Sequence, residues 1–198
     1  MLQSNFTPDL IEAGLDEVGR GCLAGPVVAA AVILPKGYQS ETLNDSKKLT
    51  KANRDRLKQE IIDNALDYHV AEISNVKIDE INILNASFLA MHVALDALKL
   101  RPELLLVDGN RFHQYRDIPH ECIIKGDGKF LSIAAASILA KTYRDELMEN
   151  YAEEFTGYGW ETNVGYPTKK HREGIEKNGV TPLHRKSFTL LSNQTSLF

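Results

Sequence analysis

The sequence is short of the residues that mark several common protein classes. It has only two cysteines, Cys22 and Cys122, far apart, with no CxxC pair and no histidine pair beside them. That excludes a disulfide framework and a cysteine–histidine zinc site, and it predicts a reducing, cytoplasmic setting. The longest apolar run, from Pro26 to Pro35, is far below the roughly 20 residues that span a bilayer. Gln3, Ser4 and Asn5 precede any apolar run and no cationic stretch comes before them, so the N-terminus does not read as a secretory signal. Positive charge is also scarce. There are 23 lysines and arginines against 27 aspartates and glutamates, a formal net charge of -4. A nucleic-acid partner therefore requires basic residues gathered on one face. No internal repeat, low-complexity linker or coiled-coil heptad is visible. With 198 residues, 43% of them hydrophobic, this predicts one domain with a real core and a monomer as the default.

What is present alternates strands with helices. Residues 11–18 and the continuous apolar run 27–34 (VVAAAVIL) predict strands. Thr50 predicts the cap of a helix through about Leu66, with Leu57, Ile61, Ile62 and Leu66 on one face. A short strand follows over 68–73. Asp79 is expected to cap a second helix whose inner stripe is Ile83, Leu84, Phe88, Met91 and Leu95, stopped by Pro102. LLLV, 104–107, runs straight into Asp108-Gly109-Asn110, and a strand over 121–125 ends at Gly126-Asp127-Gly128. A long helix is expected from Phe130 to Phe155, opening with small residues (AAASILAK) that permit close packing. The final part is helical or irregular. This order predicts an α/β fold with a mixed central sheet flanked by helices. It divides into a core over 1–155, a small helical C-terminal part of the same domain over 156–190, and a tail over 191–198.

The stretch AGLDEVGRG places Asp16 and Glu17 side by side between Leu15 and Val18. Buried charge is costly unless compensated. Adjacent strand residues point to opposite faces, so the two acids share a site only if the strand bends or ends there. Gly19 and Gly21 make that cheap. Asp108 and Asp127 each follow an apolar strand, and ligands of open α/β sheets gather at strand ends. Each aspartate alone reads as a turn residue, and Glu17 alone as solvated. The four together point to a carboxylate site for Mg²⁺ or Mn²⁺, since hard oxygen donors without histidine or cysteine suit those ions. Two such ions roughly 4 Å apart are a general solution for phosphodiester hydrolysis. The near matches to a P-loop (Gly14 to Gly21) and to a dinucleotide fingerprint (Gly19 to Gly25) fail in residue type or spacing.

The basic residues fall in three groups: Lys47, Lys48, Lys51 and Arg54; Lys169, Lys170, His171 and Arg172; and His184, Arg185 and Lys186. Each alone is more often a solvated face. Tyr166, in a GYP turn, reads equally as a stacking platform for a sugar or base and as a core tyrosine. His69 and His92 lie in strand and helix patterns and read as structural.

The stretches LDEVGRG, NDSKKL, IDEINIL, VDGNR, IKGDGK, SIAAASILAKTYRD, GYPTKKH and HRKSF occur in order from residue 13 to 188. With them the chain resembles bacterial type 2 ribonuclease H, the ribonuclease HII family. The resemblance implies an RNase H-like fold, hydrolysis of the RNA strand of RNA–DNA hybrids, and cleavage on the 5′ side of single ribonucleotides in duplex DNA. It implies an acidic quartet of Asp16, Glu17, Asp108 and Asp127 holding two Mg²⁺ or Mn²⁺ ions during catalysis. It also implies a sugar-sensing segment, Gly19-Arg20-Gly21, and a junction-sensing Tyr166. Lys47, Lys48, Lys141, His184 and Arg185 are expected as further nucleic-acid contacts. Family members often carry a lysine before GYP where this chain has Val164, which puts one phosphate contact in doubt. A resolvase or integrase of the same acidic fold is the second enzyme class, and a silent nucleic-acid-binding module the third.

The last five residues, QTSLF, resemble the short peptide by which bacterial replication and repair proteins bind the DNA sliding clamp. Gln194, Ser196, Leu197 and Phe198 match, and Thr195 replaces the usual leucine. The segment reads equally as a clamp ligand, with Leu197 and Phe198 as apolar anchors, and as a tail folded back on its own helices.

Overall fold

The structure, a computed structural model, describes residues 2–40, 42–43 and 50–191. Lys47 and Lys48 and the tail residues Gln194, Leu197 and Phe198 lie outside the described residues. Five strands form one mixed sheet in the order β3-β2-β1-β4-β5. They are β1 (Glu12–Val18), β2 (Val27–Ile33), β3 (Asp67–Ile73), β4 (Leu104–Asp108) and β5 (His120–Ile123). β2 pairs antiparallel with β1 and β3, whereas β4 runs parallel to β1 and β5 parallel to β4.

Helices cover both faces, which is why β2 reads as an uninterrupted apolar run. On one face α1 (Lys51–Asn64) and α4 (Leu131–Glu154) cover Val28, Ala30 and Val32. On the other, α2 (Asn75–Ile81) and α3 (Ile83–Asp96) cover Ala29, Ala31 and Ile33. The helix over β1 approaches so closely that a Cβ on Gly14 would lie 2.2 Å from the Ser132 carbonyl carbon. At the start of β1, buried Glu12 accepts hydrogen bonds from the amides of Phe6 and Thr7 and so fixes the N-terminal segment.

Thr50 caps α1 as expected, accepting from the Asn53 amide. Two expectations need correction. Asp79 is not a helix cap but lies inside α2. Asn82, in the left-handed region at φ 66°, starts α3 by accepting from the Leu84 and Asn85 amides. Leu66 lies past the end of α1 and is exposed, because its amide is needed by the Ile33 carbonyl beside the sheet. His69 is exposed on β3, an edge strand, while His92 packs between Phe112 and Tyr115 as a structural group.

Residues 156–190 add α5 (Trp160–Asn163) and α6 (Lys169–Asn178) and pack Tyr158, Trp160, Ile175 and Leu190 against Leu23, Ala24 and Met148. Asp79 anchors this part: its carboxylate accepts from the Lys186 and Ser187 amides and the Ser187 hydroxyl. Two histidines sit at its centre, both fully buried. The Thr181 amide donates to His184 Nδ1, so His184 carries its proton on Nε2 and donates it to His171 Nε2. His171 Nε2 also accepts from the Trp160 indole, and its Nδ1–H donates to the Tyr166 carbonyl. Every ring nitrogen is committed in the neutral form. Burial, and then the neighbouring His171, push the His184 pKa down to about 4, and burial lowers that of His171.

An unfolded histidine titrates near 6.5. Below that pH the unfolded chain binds protons that the folded chain refuses. The contribution to stability is thus complete above pH 6.5 and is lost as pH falls toward 4. The urea midpoint should fall between pH 7 and pH 5, with about 2 kcal/mol arising from His184 alone. A His184→Gln variant should show a smaller fall; equal falls in both proteins would contradict this reading.

Candidate active site

Asp16 and Asp108 come close because β1 and β4 are adjacent parallel strands, and Asp127 follows β5, the parallel neighbour of β4. Leu15 pairs with Val107, so Asp16 and Asp108 are the next positions on adjacent strands. Asp108 in turn pairs with Ile123, after which a short 3₁₀ turn, Gly126–Gly128, carries Asp127. The Gly126 amide donates to Asp108 Oδ1 at 2.7 Å and ties that turn to β4.

The alternation of β1 persists through both of its site acids. Asp16 lies on the α4 side with Gly14, takes a hydrogen bond from Ser137, and is 5% exposed. Glu17 lies on the opposite side, lining a cleft with Arg20, Ser87, Phe88, Asp108 and Asn110. β1 ends one residue later, at Val18. Burial first, then the charges of Glu17 and Asp108, hold the Asp16 carboxyl well above the usual carboxylate range. Burial also raises Glu17, opposed by the Arg20 guanidinium 3.1 Å away, with Asp108 adding to the rise.

Among the described residues, no three His, Cys, Asp or Glu side chains are already drawn together as a metal-holding group. The expected quartet is therefore a convergence of strand ends and not a finished cage. Asp16, Glu17 and Asp108 act on one another electrostatically, and Asp127 lies buried in the neighbouring turn. The donor set fits a hard divalent cation: all are carboxylate oxygens, and their mutual repulsion is what such a cation relieves.

Next to the acids runs the glycine loop. Gly19 has φ +92°, and a Cβ there would lie 2.3 Å from Arg144 Nε. Gly21 is exposed, with open space where its Cβ would be. Two fully buried arginines hold this loop from below. Arg144 donates to the carbonyls of Pro26, Ala24 and Val164. Arg185 donates to those of Gly25, Arg20 and Pro26. The Leu23 amide donates to the Gly165 carbonyl, which joins the loop to the GYP turn.

This arrangement corrects two expected nucleic-acid contacts. His184 and Arg185 are fully buried and spent on internal hydrogen bonds, so neither presents charge to a duplex. Lys141 is tied to Asp145 at 2.6 Å and remains about a fifth exposed. Tyr166 is 36% exposed in its turn. Val164 stands before it with φ 41°, unusual for a β-branched residue. Arg144 was missed by the sequence reading. Its signal is spacing: Ser137, Lys141, Arg144 and Met148 recur along one helical stripe of α4.

Relatives match this frame along nearly its whole length. A family profile described as Ribonuclease HII covers residues 13–191. The chain belongs to the ribonuclease HII family. It is 62% identical to the ribonuclease HII of Cytophaga hutchinsonii over 95% of this chain and 94% of that protein. It is 63% identical to that of Christiangramia forsetii, over 97% of each. Among solved structures, the ribonuclease H2 of Pyrococcus horikoshii superposes with a TM-score of 0.75 at 27% identity, over 90% of this chain and 94% of that one. The ribonuclease HII of Archaeoglobus fulgidus, solved in complex with PCNA, gives 0.75 at 26% identity, over 90% and 95%. The family cleaves the RNA strand of RNA–DNA hybrids and cuts at single ribonucleotides. It depends on divalent metal ions.

The site acids repel one another in the metal-free protein. An acid with a raised pKa contributes stability that is present below its unfolded pKa and lost as pH rises through the folded value. At pH 7.5 without metal, Asp16→Asn should therefore raise the thermal midpoint by about 2–4 °C while nearly abolishing turnover at saturating Mg²⁺. An unchanged or lower midpoint, or near-normal turnover, would contradict the assignment.

Proposed function

We propose that this endoribonuclease cuts on the 5′ side of a ribonucleotide, leaving 3′-OH and 5′-phosphate ends, with Asp16, Glu17, Asp108 and Asp127 holding Mg²⁺ or Mn²⁺. The observation that carries this reading is the juxtaposition of three parallel strand ends bearing acids with a glycine loop fixed from below. When bound, the ions lower the pKa of an attacking water and offset charge on the departing oxygen. The chain's own residues do the rest. Gly19, Arg20 and Gly21 offer backbone groups to the sugar, whose 2′-OH is the one handle separating RNA from DNA at a single nucleotide. Ser137 and the Glu17 amide orient the Asp16 carboxylate, and the Gly126 amide orients that of Asp108. Tyr166 presents its ring at the junction. Lys47, Lys48 and Lys141 supply phosphate contacts, which position the duplex without reading it.

No described helix is long and apolar enough to cross a membrane; the enzyme works in the cytoplasm as a monomer. The tail Gln194–Phe198 binds the sliding clamp. The Archaeoglobus relative solved with PCNA supports such a partnership, and one weak peptide on a ring around DNA raises local enzyme concentration.

The decisive assay compares three duplexes: one with a single ribonucleotide, an RNA–DNA hybrid and an all-DNA duplex. The first two should be cut and the third left intact; cutting of DNA alone would favour the resolvase class. Tyr166→Ala should reduce single-ribonucleotide cleavage more than it lowers the thermal midpoint. Clamp binding should be lost when the chain is ended at Asn193, and equal binding with and without the tail would remove the clamp from the account.

A further inference from the structure

Several cations of the described residues are already spent on carboxylates. Lys51, Arg54 and Lys58 of α1 are held by Glu149, Asp145 and Glu146 of α4 at 2.6, 3.3 and 2.8 Å. Lys141 shares Asp145, and Arg20 is paired with Glu17. Two cations beyond the ends of β4 and β5 differ. Arg111, in the segment that follows Asp108, is exposed and lines the cleft that holds Glu17 and Asp108. Lys125, between β5 and the turn of Asp127, is exposed as well. Neither side chain has a hydrogen bond or an ion pair among the described residues. The sheet register sets the two segments side by side. Asp108 pairs with Ile123, and the Gly109 amide donates to the Ile123 carbonyl at 3.1 Å. Ile124, next to Lys125, is 62% exposed. The cleft's apolar wall is made by Leu84, Phe88 and Met91 of α3, which strengthens any charge interaction formed against it.

We propose that Arg111 and Lys125 form a phosphate-binding track for the duplex on the β4–β5 side of the acids. The proposal rests on the reading of this chain as a nuclease of ribonucleotide-containing duplexes. In the sheet order β3-β2-β1-β4-β5 the glycine loop joins β1 to β2, while Arg111 and Lys125 follow β4 and β5. The acids therefore lie between the glycine loop and this track. Phosphates recur about every 3.4 Å along the axis on one strand of a duplex. A strand with one phosphate at Asp16 and Asp108 thus carries its neighbours to both sides. The acids repel those neighbouring phosphates. A guanidinium beside Asp108, with no carboxylate of its own to satisfy, offsets that repulsion and offers a fork that fits a phosphate. Lys125 adds a second, less directional charge, and Ile124 an apolar surface for a sugar. Phosphate contacts of this kind hold the duplex in register and carry no sequence information.

The test is steady-state cleavage at saturating Mg²⁺ of a single-ribonucleotide duplex and of a uniform RNA–DNA hybrid, between about 50 and 200 mM salt. Arg111→Gln should raise KM about five-fold on both duplexes and leave kcat within about two-fold, the pattern of lost uniform binding. The slope of log KM against log salt should fall by about 1. Lys125→Gln should lower the slope likewise, and the double variant should lower it by about 2. Arg111→Lys, which keeps the charge, should retain the slope of the unaltered enzyme. Both side chains are exposed, so thermal midpoints should hold within about 2 °C. An unchanged KM and slope in the glutamine variants would overturn the proposal. A fall in kcat at unchanged KM would also overturn it, because Arg111 would then act on the acids. So would a loss confined to one of the two duplexes, because a phosphate contact is common to both. If the unaltered enzyme cuts neither duplex, the underlying reading fails. If it cuts both and the variants match it, the proposal alone fails.

Discussion

Two buried guanidiniums hold the glycine loop and the turn beside it in place. Arg144 and Arg185 reach inward from different parts of the chain and donate six hydrogen bonds to carbonyls of residues 20, 24, 25, 26 and 164. Burying a cation is costly unless its donors are met. Here they are met by the carbonyls of a loop whose backbone must stay open toward solvent. The arginine fork suits that task, because one planar group can hold several carbonyls at once. The same contacts explain the positive φ at Gly19, where any side chain would run into Arg144. They also explain why the C-terminal part matters to a site built on the sheet. Arg185 belongs to a segment that Asp79 and Asn75 anchor from the opposite face of the sheet.

On the sheet side the constraint is opposite in sign. Asp16, Glu17 and Asp108 come close at the ends of the parallel strands β1 and β4, where burial and neighbouring charge oppose the ionisation of Asp16 and Glu17. The fold tolerates this because β1 is locked on both faces, by Gly14 under α4 and by Leu15 in the core beneath α3. Stability is given up at the acids and recovered in the packing around them, a common arrangement at sites that serve chemistry.

Much of this was legible in the sequence. The strand runs, the long small-residue helix and the acids at strand ends follow from local pattern, since periodicity and glycine turns are local properties. The family was legible from ordered motifs, above all LDEVGRG and GYPTKKH. The roles of His184, Arg185 and Asp79 were not. An HRK triplet looks the same in sequence whether solvated or buried, and only tertiary contact turns His184 into a neutral relay partner of His171. Asp79 looked like a cap because it precedes an amphipathic run. Its real partners are the Lys186 and Ser187 amides, more than a hundred residues away. Of the two ways in which the sequence allowed Asp16 and Glu17 to come together, a bend or a strand end, β1 shows the strand end, at Val18.

We propose that the loop fixed by the buried guanidiniums reads the ribonucleotide sugar beside the acids. Arg185→Lys tests it most directly. It keeps the charge and removes the fork. Turnover of a single-ribonucleotide duplex is measured at a temperature where circular dichroism shows the variant fully folded. The account predicts a fall in kcat/KM of about ten-fold or more, the loss of roughly two hydrogen bonds from the loop. A folded variant cutting at the rate of the unaltered enzyme would contradict it.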